Sequence, residues 1–404
     1  MLTFVSLHNF FSFAKASEVP LSPGLNVLVG INGSGKSNFI KALRLLYEGI
    51  SGDGLRNLIQ LEWGGYDQVS HARRNGLGDI RLQFTFPPNP GTGSWYRAEG
   101  SPVYGITISA ATDGTFRLSE RITLKNTKDA SETLLFESKA GKGLVRSASG
   151  ALRDLTEAPY AEASARQMEL RFRYMPEDGL HPLLCGLRRA IQQFGFYGFF
   201  NTSFSSPARR PAPAAGNHAG RLSHDGENMA QVLHSMRAFA PDAFAHLETF
   251  LRRISPNFQQ LVFSEAGEKV RVRFVEKHLS HSVSARHISD GTLRYLLYLS
   301  IFLNPGRGLA VCIDEPESGL HPDMLHSLSE AMQQAAGEGT QLILATHSPL
   351  LLNSFELDDL LIFDKNSENQ TLVHTVNGDD FSSLTGLSLP GQLWLSGHLG
   401  GKRW

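Results

Sequence analysis

One glycine-rich segment near the N-terminus constrains the chain most strongly. Residues 30–37 read GINGSGKS and follow a short apolar run, Leu25–Val29. This GxxxxGK[ST] pattern lies between an expected strand and an expected helix, where backbone N–H groups can surround a phosphate. Lys36 is expected to reach the β- and γ-phosphates and Ser37 to ligate Mg²⁺, and the helix N-terminus favours the same anion. The segment therefore predicts a nucleoside triphosphate site rather than a glycine-rich turn without a ligand.

Length and composition bound the class of protein. The chain has 404 residues, 41% of them hydrophobic, enough for one large or two modest domains. A formal net charge of −1 means that any DNA contact must come from local basic clusters. Two cysteines, Cys185 and Cys312, indicate a reducing compartment, with Cys312 in a buried run. Without a signal-peptide pattern or an apolar run of about 18 residues, we expect a cytoplasmic protein with no membrane partner.

The hydrophobic patterns change along the chain. Strand and helix patterns alternate before Gly49 and again after His287. Between Asp79 and Glu137 several strand patterns follow one another without helices, which predicts an antiparallel subsheet. Helices are expected near Gly179–Phe194, Gly226–Arg237 and Pro241–Arg253. Residues 201–224 are rich in Ser, Pro, Ala, Gly and Arg, which favours a mobile loop.

Two strand ends in the C-terminal third carry polar groups suited to phosphate chemistry. The run LAVCIDE ends in Asp314 and Glu315, and it has the apolar character of a buried parallel strand. We expect Asp314 to hold Mg²⁺, directly or through water, and Glu315 to act as the base for an attacking water or to orient it. A second strand, QLILAT, ends before His347, which could hydrogen-bond a γ-phosphate or that water.

A third motif opens an apolar helix. Residues 288–294 read ISDGTLR, with Ser289 and Gly291 where a helix N-terminus offers free N–H groups. By itself the segment reads as a capped core helix. Its position just before the LAVCIDE strand gives it weight as part of the same site.

Taken in chain order, these motifs resemble one family of ATPases. GINGSGKSN, ISDGTLR, CIDEPESGLHP and LATHS are similar to the ATP-binding-cassette (ABC) ATPases of the SMC, RecF and OLD type. NFFSF near the N-terminus, DGENMAQVL, ISPNF and GQLWLSGHLGG further resemble the stand-alone RecF-like AAA-family ATPases. The resemblance implies an α/β fold: an ABC-type P-loop ATPase head with a central, mostly parallel sheet, an antiparallel β subdomain and an inserted helical lobe.

The expected organisation has four segments. Residues 1–78 form the N-terminal part of the ATPase core with the phosphate loop, and residues 79–175 form the antiparallel β subdomain. Residues 176–258 form a helical lobe that contains the mobile loop 201–224. Residues 259–404 form the C-terminal part of the core, with the signature, the Walker B carboxylates and the switch histidine.

The resemblance also assigns roles to residues. ATP would be contacted by the phosphate-loop residues Gly30, Asn32, Gly33, Ser34, Gly35, Lys36, Ser37 and Asn38. Ser289 and Gly291 match the signature loop, which contacts the γ-phosphate held by a second subunit. Residues 318–320 match the loop that crosses the dimer interface, and His347 matches the switch histidine. The cofactors implied are ATP and Mg²⁺, the latter held by Ser37 and Asp314.

Some positions depart from the family pattern. Asp290 and Thr292 replace the Gly and Gln of the usual SGGQ signature. The glutamine that contacts Mg²⁺ and water has two candidates, Gln60 and Gln68. Arg56 lies where related enzymes place an arginine near nucleotide or DNA.

If the signature acts in trans, two chains sandwich two ATP molecules, so the resemblance implies a homodimer or higher oligomer that opens on hydrolysis. We expect such a switch to act in DNA maintenance and repair or in anti-phage defence, through a separately encoded effector such as a nuclease or toxin. Only 57 residues follow His347, too few for the nuclease module of OLD-type proteins, so no intrinsic nuclease is expected. The alternatives are a transporter-type ATPase subunit, disfavoured by the about 250 residues between loop and signature, and a slow ATP-bound scaffold.

Other charged clusters could contact partners. Short basic clusters occur at residues 71–74, 187–189, 206–210 and in the 401–404 tail, and Arg209–Arg210 is the favoured DNA contact. Paired carboxylates at 357–360 and 378–380 could hold a metal, although ordinary acidic turns are the simpler interpretation.

Overall fold

A computed structural model describes residues 1–71, 78–88, 90, 99–126, 128–129, 131–139, 142–156, 168–214, 220–376 and 389–400. Helices and strands are numbered in chain order. The strands are β1 (Phe4–His8), β2 (Ser17–Pro20), β3 (Leu25–Val29), β4 (Ile80–Thr85), β5 (Gly100–Ala110), β6 (Phe116–Asn126), β7 (Glu132–Lys139), β8 (Lys142–Arg146), β9 (Leu152–Asp154), β10 (Phe194–Tyr197), β11 (Ala212–Pro213), β12 (Phe258–Ala266), β13 (Lys269–Glu276), β14 (Val283–Ser284), β15 (Ala310–Asp314), β16 (Gln341–Thr346), β17 (Leu360–Lys365) and β18 (Thr371–Thr375). The helices are α1 (Lys36–Ile50), α2 (Tyr66–Val69), α3 (Pro182–Gln192), α4 (Met229–Phe239), α5 (Pro241–Ile254), α6 (Asp290–Phe302), α7 (Pro322–Gly337), α8 (Pro349–Leu352) and α9 (Pro390–Leu395), with a π-helical turn at Asn57–Glu62.

The chain forms two compact units that interleave along the sequence. The first unit comprises residues 1–23, 30–194 and 362–374, and the second comprises residues 24–29, 195–361 and 375–404. These boundaries differ from the four consecutive segments expected from the sequence, which stay a prediction. None of the described helices combines the length and apolar character that crossing a bilayer requires.

An antiparallel sheet dominates the first unit. Its strand order is β2-β1-β4-β5-β6-β7-β8-β9. Alternation along β4 is typical, because Ile80, Leu82 and Phe84 are buried while Arg81 and Gln83 are exposed. The run of strands predicted between Asp79 and Glu137 is therefore present. The sheet also extends past that segment, since β1 and β2 join it through the pairing of β1 with β4.

The helix that follows the glycine-rich loop packs inside the first unit. Of its apolar positions at helical spacing, Phe39, Leu43 and Leu46 are fully buried and Ile40 is half-buried. Near the end of this helix, Gly49 leaves no room for a side chain, because an added Cβ would lie 2.5 Å from Leu170 Cδ1. The 168–174 segment is thus in close contact with α1.

A buried carboxyl connects that segment to the sheet. Glu120, on β6, is 3% exposed; its Oε1 accepts a hydrogen bond from the Arg171 backbone N–H (2.6 Å) and its Oε2 accepts one from the Tyr104 hydroxyl (2.5 Å). Burial raises the pKa of Glu120 to about 7, since the charged form loses its hydration. The side chain thus positions the turn on which α1 packs.

The second unit is built on parallel strands. β10, β15, β16 and β3 are neighbours in that order, and β15, β16 and β3 pair in parallel. Every residue of β16 is buried, as are the first four of β15, which is typical of a sheet covered on both faces. The expected central parallel sheet is therefore present. Cys312 is fully buried on β15, as predicted, and burial raises the pKa of its thiol.

The expected helices near residues 179, 226 and 241 exist as α3, α4 and α5. The first belongs to the first unit and the other two to the second. In the described part of 201–224 the chain forms a 3₁₀ turn, Pro207–Arg209, and a short strand, β11, that pairs with β13. Arg209 has a side chain only 4% exposed. The Arg209 guanidinium is thus enclosed by its own unit, so of the favoured pair Arg209–Arg210 only Arg210 is exposed, and the expected mobility of residues 201–224 stays a prediction.

We predict that Glu120→Gln changes how stability depends on pH. From the ordinary pKa of 4.5 up to about 7, the folded protein holds a proton that the unfolded chain has released, so wild-type stability falls as pH rises through this window. The neutral amide removes that loss. Thermal melting between pH 5 and 8 should show the variant gaining at least about 2 °C relative to wild type.

The matched control for this prediction is Glu137→Gln, a half-exposed carboxyl on the neighbouring strand β7. Its melting temperature should follow that of the wild type across the same pH range. Parallel curves for Glu120→Gln and wild type would contradict the assignment of a proton to Glu120.

Candidate functional site

The backbone of the glycine-rich loop is fixed by positions that admit only glycine. Gly33 and Gly35 have positive φ angles of 80° and 113°, which glycine adopts without a steric penalty. A Cβ on Gly30 would overlap the Phe363 carbonyl oxygen and the Ser34 hydroxyl. The loop therefore depends on its glycines both for its turn and for close backbone approach.

The buried Lys36 side chain is hydrogen-bonded to the backbone of this loop. The residue is 6% exposed, and its Nζ donates to the carbonyl oxygens of Gly30 (2.7 Å) and Ile31 (3.2 Å). Asn32 and Gly33 are exposed at the tip. The ammonium is thus held at the centre of a ring of backbone, the position from which it can reach an anion bound over the loop.

The start of α1 completes a surface suited to phosphate. Gly35 is the N-cap and no side chain caps the helix, so the positive end of its dipole is not neutralised by a capping group. Ser37 is exposed in the first turn, while Ser34 Oγ is buried without a hydrogen-bond partner in the described structure. A glycine cradle, a central ammonium and an uncapped helix N-terminus fit a triphosphate.

Three side chains outside the motif hold the loop in place. The Thr371 hydroxyl lies 2.7 Å from both the Ser34 carbonyl oxygen and Ser12 Oγ, and Ser12 Oγ accepts from Asn38 Nδ2 (2.8 Å). A carbonyl can only accept, so the single Thr371 proton goes to Ser34, and Ser12 donates to Thr371. Ser12, Thr371 and Asn38, the loop brace, therefore connect the loop with two other parts of the first unit.

In the second unit, strand register brings the other predicted residues to one edge. Asp314 is opposite Ala345 across the β15–β16 pair, and Thr346 is opposite Val29 across the β16–β3 pair. Because the strands are parallel, all three end at the same edge. Glu315, His347 and Gly30 are the residues that follow these three strand ends in the chain.

Glu315 turns the chain sharply at this edge. Its N–H donates to the Ala345 carbonyl oxygen (2.8 Å), which extends the β15–β16 ladder by one residue. Its φ is then +52°, a left-handed conformation that is uncommon outside glycine, asparagine and aspartate. Non-glycine residues in this region cost of order 1 kcal/mol and cluster at functional sites. Here the turn aims the carboxylate across the strand ends.

The Glu315 carboxylate is shared with His347. His347 Nδ1 lies 3.3 Å from Glu315 Oε1, and Ser318 Oγ donates to Glu315 Oε2 (3.1 Å). Nδ1 is therefore the ring nitrogen that faces this carboxylate, and Nε2 is the other ring nitrogen. Both side chains are close to half exposed, 42% for the glutamate and 45% for the histidine. Two residues predicted from separate motifs thus form one pair.

Glu317 supports the same pair and was missed by sequence reasoning. Its Oε1 accepts from Thr346 Oγ1 (2.6 Å) and from the His347 N–H (3.1 Å), and it lies 3.8 Å from His347 Nδ1. The side chain is 9% exposed, and its Oε2 is buried without a partner in the described structure. Within CIDEPESGLHP, the available signal was a third acid, two residues after Glu315.

The signature segment caps its helix as expected. Ser289 is the N-cap of α6, and its Oγ accepts from the Thr292 N–H (3.1 Å). Asp290, at the first helical position, forms an ion pair with Arg209 at 2.6 Å. The nearest heavy atom to a Cβ built on Gly291 would be the Gly319 carbonyl oxygen at 3.8 Å.

A buried arginine links this helix to the segment expected at a dimer interface. Arg294, 5% exposed, donates to the Gly319 carbonyl oxygen (2.8 Å) and to Thr202 Oγ1 (2.9 Å). Gly319 has φ +72°, and a Cβ there would overlap the guanidinium. Signature helix and interface segment are therefore fixed to each other within the second unit.

The structure also shows the surroundings of several other residues named from the sequence. Gln60 Nε2 donates to the Gly114 carbonyl oxygen at 3.5 Å, Gln68 is exposed, and Arg56 is exposed with its N–H bound to Glu169. None of these contacts assigns the three side chains to nucleotide. In the 187–189 cluster, Glu177 forms ion pairs with both arginines, at 3.2 and 2.7 Å.

The remaining charged clusters show no arrangement that points to a ligand. In the 357–360 acidic pair, Asp359 Oδ2 accepts from the Glu356 N–H at 3.2 Å, an ordinary turn contact. Residues 72–74, 378–380 and 401–404 lie outside the described residues. Among those that are described, no cluster of three or more His, Cys, Asp or Glu side chains could hold a metal ion.

A phosphate loop after one strand of a parallel sheet, with acidic and histidine residues after its neighbours, defines an α/β P-loop ATPase. Two family models match the chain. One, described as "AAA domain, putative AbiEii toxin, Type IV TA system", matches residues 202–353, and one described as "AAA domain" matches residues 5–154. No curated protein sequence matches the chain.

Solved structures extend this assignment to the fold. A SmcHead bound to the C-winged helix domain of ScpA is similar with a TM-score of 0.58 and 12% identity, over 93% of this chain and 97% of that one. A Pyrococcus furiosus Smc head domain bound to the C-terminal domain of ScpA is similar with a TM-score of 0.56 and 11% identity, over 95% of this chain and 98% of that one. At these identities the likeness concerns the fold alone. The chain therefore carries two segments that match AAA-domain ATPase models, in a fold similar to that of Smc heads.

We predict that Thr371→Val weakens nucleotide binding. The valine keeps the volume but removes the hydrogen bonds to Ser34 and Ser12, which leaves the Ser34 carbonyl and the loop less constrained. Calorimetric titration with Mg-ATP should give an affinity about 3- to 10-fold lower than wild type. Thr375→Val, at an exposed position of the same strand, is the control and should bind as wild type does. Equal affinities of wild type and Thr371→Val would show that the brace does not affect the loop.

We predict that Glu317→Gln slows turnover without weakening nucleotide binding. The change removes a negative charge beside His347 and places an amide nitrogen where no acceptor is available. Steady-state ATP hydrolysis should fall about tenfold, while Mg-ATP affinity stays within about twofold.

Two further readouts test this positioning role of Glu317. The shape of the pH–rate profile should change, which a residue with a purely structural role would not cause. Glu268→Gln, an exposed change in the same unit, should leave both rate and profile as in wild type. A Glu317→Gln enzyme with wild-type turnover would contradict the role.

Proposed function

We propose that the protein is an ATP-binding and ATP-hydrolysing switch that dimerises on ATP and controls a separate effector. The observation that carries the proposal is the common edge at which β3, β16 and β15 end, because the residues that follow are Gly30, His347 and Glu315. Phosphate binding, water activation and phosphate sensing are thereby assigned to consecutive strands of one sheet.

Each side chain has a chemical task in this proposal. The Lys36 ammonium, now bound to loop carbonyls, would turn to the β- and γ-phosphates. Ser37 and Asp314 supply oxygen ligands of the hard kind that Mg²⁺ prefers, and the bound metal would neutralise phosphate charge. Glu315 would accept a proton from the attacking water, oriented by its contacts with Ser318 and His347. His347 would present Nε2 to the γ-phosphate or to that water.

Dimerisation is proposed from the signature segment. Ser289 and Gly291 would contact the γ-phosphate bound by a second copy of the chain, so ATP would be held by charge-assisted hydrogen bonds from both. The Arg294–Gly319 contact keeps the signature helix and residues 318–320 in a fixed relation, as two parts of one docking face require. Hydrolysis would remove the γ-phosphate and weaken the interface.

The biological output is proposed as defence against phage or maintenance and repair of DNA. The match to the AbiEii-type model supports a toxin or defence context, with a nuclease or toxin as effector. The two Smc heads are each bound to a domain of ScpA, which supports a protein partner for this chain as well.

Two variants test the switch. Glu315→Gln should bind ATP but fail to hydrolyse it, so light scattering after gel filtration with Mg-ATP should give a stable dimer. Wild type should dimerise transiently, and Lys36→Ala should stay monomeric with ATP affinity at least about 100-fold lower.

The outcome separates a switch from a scaffold. If Glu315→Gln behaves like wild type in both assembly and turnover, ATP is only a structural ligand. If Glu315→Gln remains monomeric at saturating Mg-ATP, the two-chain site is wrong.

A further inference from the structure

The second unit contains a basic pocket that the nucleotide chemistry does not use. It has a volume of about 450 Å³ and lies against the 3₁₀ turn at Pro207–Arg209, the strand β13 and the segment that precedes the signature. Its lining includes Phe204, Arg209, Arg210, Met229, Arg271 and Arg286.

The charged side chains that line this pocket are all positive. Its lining contains four arginines and no carboxylate. Arg209 is ion-paired with Asp290, whereas Arg210, Arg271 and Arg286 are exposed and, in the described part of the chain, none of these three forms an ion pair. Three uncompensated guanidinium groups around one cavity favour an anion with several oxygen acceptors, such as a phosphate.

An aromatic ring lies beside these charges. Phe204 is 63% exposed, and the Arg286 guanidinium lies 4.4 Å from its ring centroid. Ala208, Met229 and Val272 make part of the lining apolar. Exposed aromatic rings next to arginines are the surfaces on which nucleic-acid bases stack, and the volume matches that of small-ligand sites.

We propose that this pocket binds a nucleotide unit, with its phosphate on Arg210, Arg271 and Arg286 and its base on Phe204. The unit could be a free nucleotide or one residue of a single-stranded nucleic acid, since both present the same phosphate and ring. This site is separate from the glycine-rich loop, which belongs to the first unit.

Arg209 connects the pocket to the signature segment. Its Nη1 donates to the carbonyl oxygens of Ala285 (2.9 Å), Arg286 (3.0 Å) and Ile288 (2.9 Å), and its Nη2 contacts Asp290. A phosphate in the pocket would attract this guanidinium and compete with those acceptors. Pocket occupancy therefore biases the position of the signature loop, a consequence that rests on the proposed function.

Binding is tested first, without ATP. Fluorescence anisotropy with labelled dT12 should show saturable binding to wild type. Arg210→Gln/Arg271→Gln should bind at least about tenfold more weakly, with a salt dependence of log affinity lower by about 0.7, the slope expected for one lost phosphate contact on a single strand. Arg237→Gln/Lys277→Gln, which removes two exposed charges elsewhere in the unit, should bind as wild type does.

Competition identifies the source of the nucleotide unit. In a Lys36→Ala background, which disables the glycine-rich loop, competition by dTMP would support a free nucleotide, and binding of dT12 alone would support a strand. Absence of binding to either probe would overturn the site. Equal weakening by the pocket and control variants, or a preference for a 12-base-pair duplex, would also overturn it.

The coupling has its own readout. Saturating dT12, or dTMP if that is the ligand, should change ATP turnover of wild type at least twofold and leave the Arg210→Gln/Arg271→Gln protein at its own basal rate. Unchanged wild-type turnover would overturn the coupling. An inactive ATPase that still binds dT12 would instead count against the proposed function and leave the pocket standing.

Discussion

The parallel pairing of β16 with both β15 and β3 is the constraint on which the site depends. The register places Thr346 beside Val29 and Asp314 beside Ala345, so three strands end at one edge. A shift of one residue in either pair would reverse which face each side chain occupies. The nearly continuous burial of these strands fixes that register, because their apolar residues pack on both sides of the sheet. The chemistry at the edge is thus specified by the core beneath it.

Local patterns explain what the sequence could predict. The phosphate loop, the LAVCIDE and QLILAT strands and the capped helix at Ser289 are each encoded within about ten residues, and hydrophobic period and turn chemistry are sufficient for such segments. The loop brace could not be found in this way, since Thr371 reaches Ser34 across 337 positions. Glu317 was visible as an acid, but its role depends on how β16 lies beside β15. The enclosure of Arg209 could not be predicted, because loop composition says nothing about which carbonyl groups surround a side chain.

The unusual signature has a physical explanation in this fold. A guanidinium with only 4% exposure needs compensation, and Arg209 obtains it from four carbonyl oxygens and the Asp290 carboxylate. Glycine at position 290, as in the common SGGQ form, would leave the buried charge without its counterion. Asp290 and Arg209 therefore depend on each other, and a substitution at one of these positions calls for a substitution at the other. Asp290 thus changes how the signature loop is held, while Ser289 and Gly291, the residues expected to contact the γ-phosphate, match the usual form.

The loop brace can form only late in translation, because Thr371 is synthesised long after the phosphate loop. The first unit contains the loop near position 30 but also residues 362–374, and the largest segment of the second unit, residues 195–361, is made between them. A nascent chain that has emerged only as far as α7 already carries every residue of the phosphate loop and lacks Thr371, the donor to Ser34. Full constraint of the loop is thus postponed until most of both units has been synthesised. Incomplete translation products would hold nucleotide loosely, so maturation of the binding site coincides with completion of the fold.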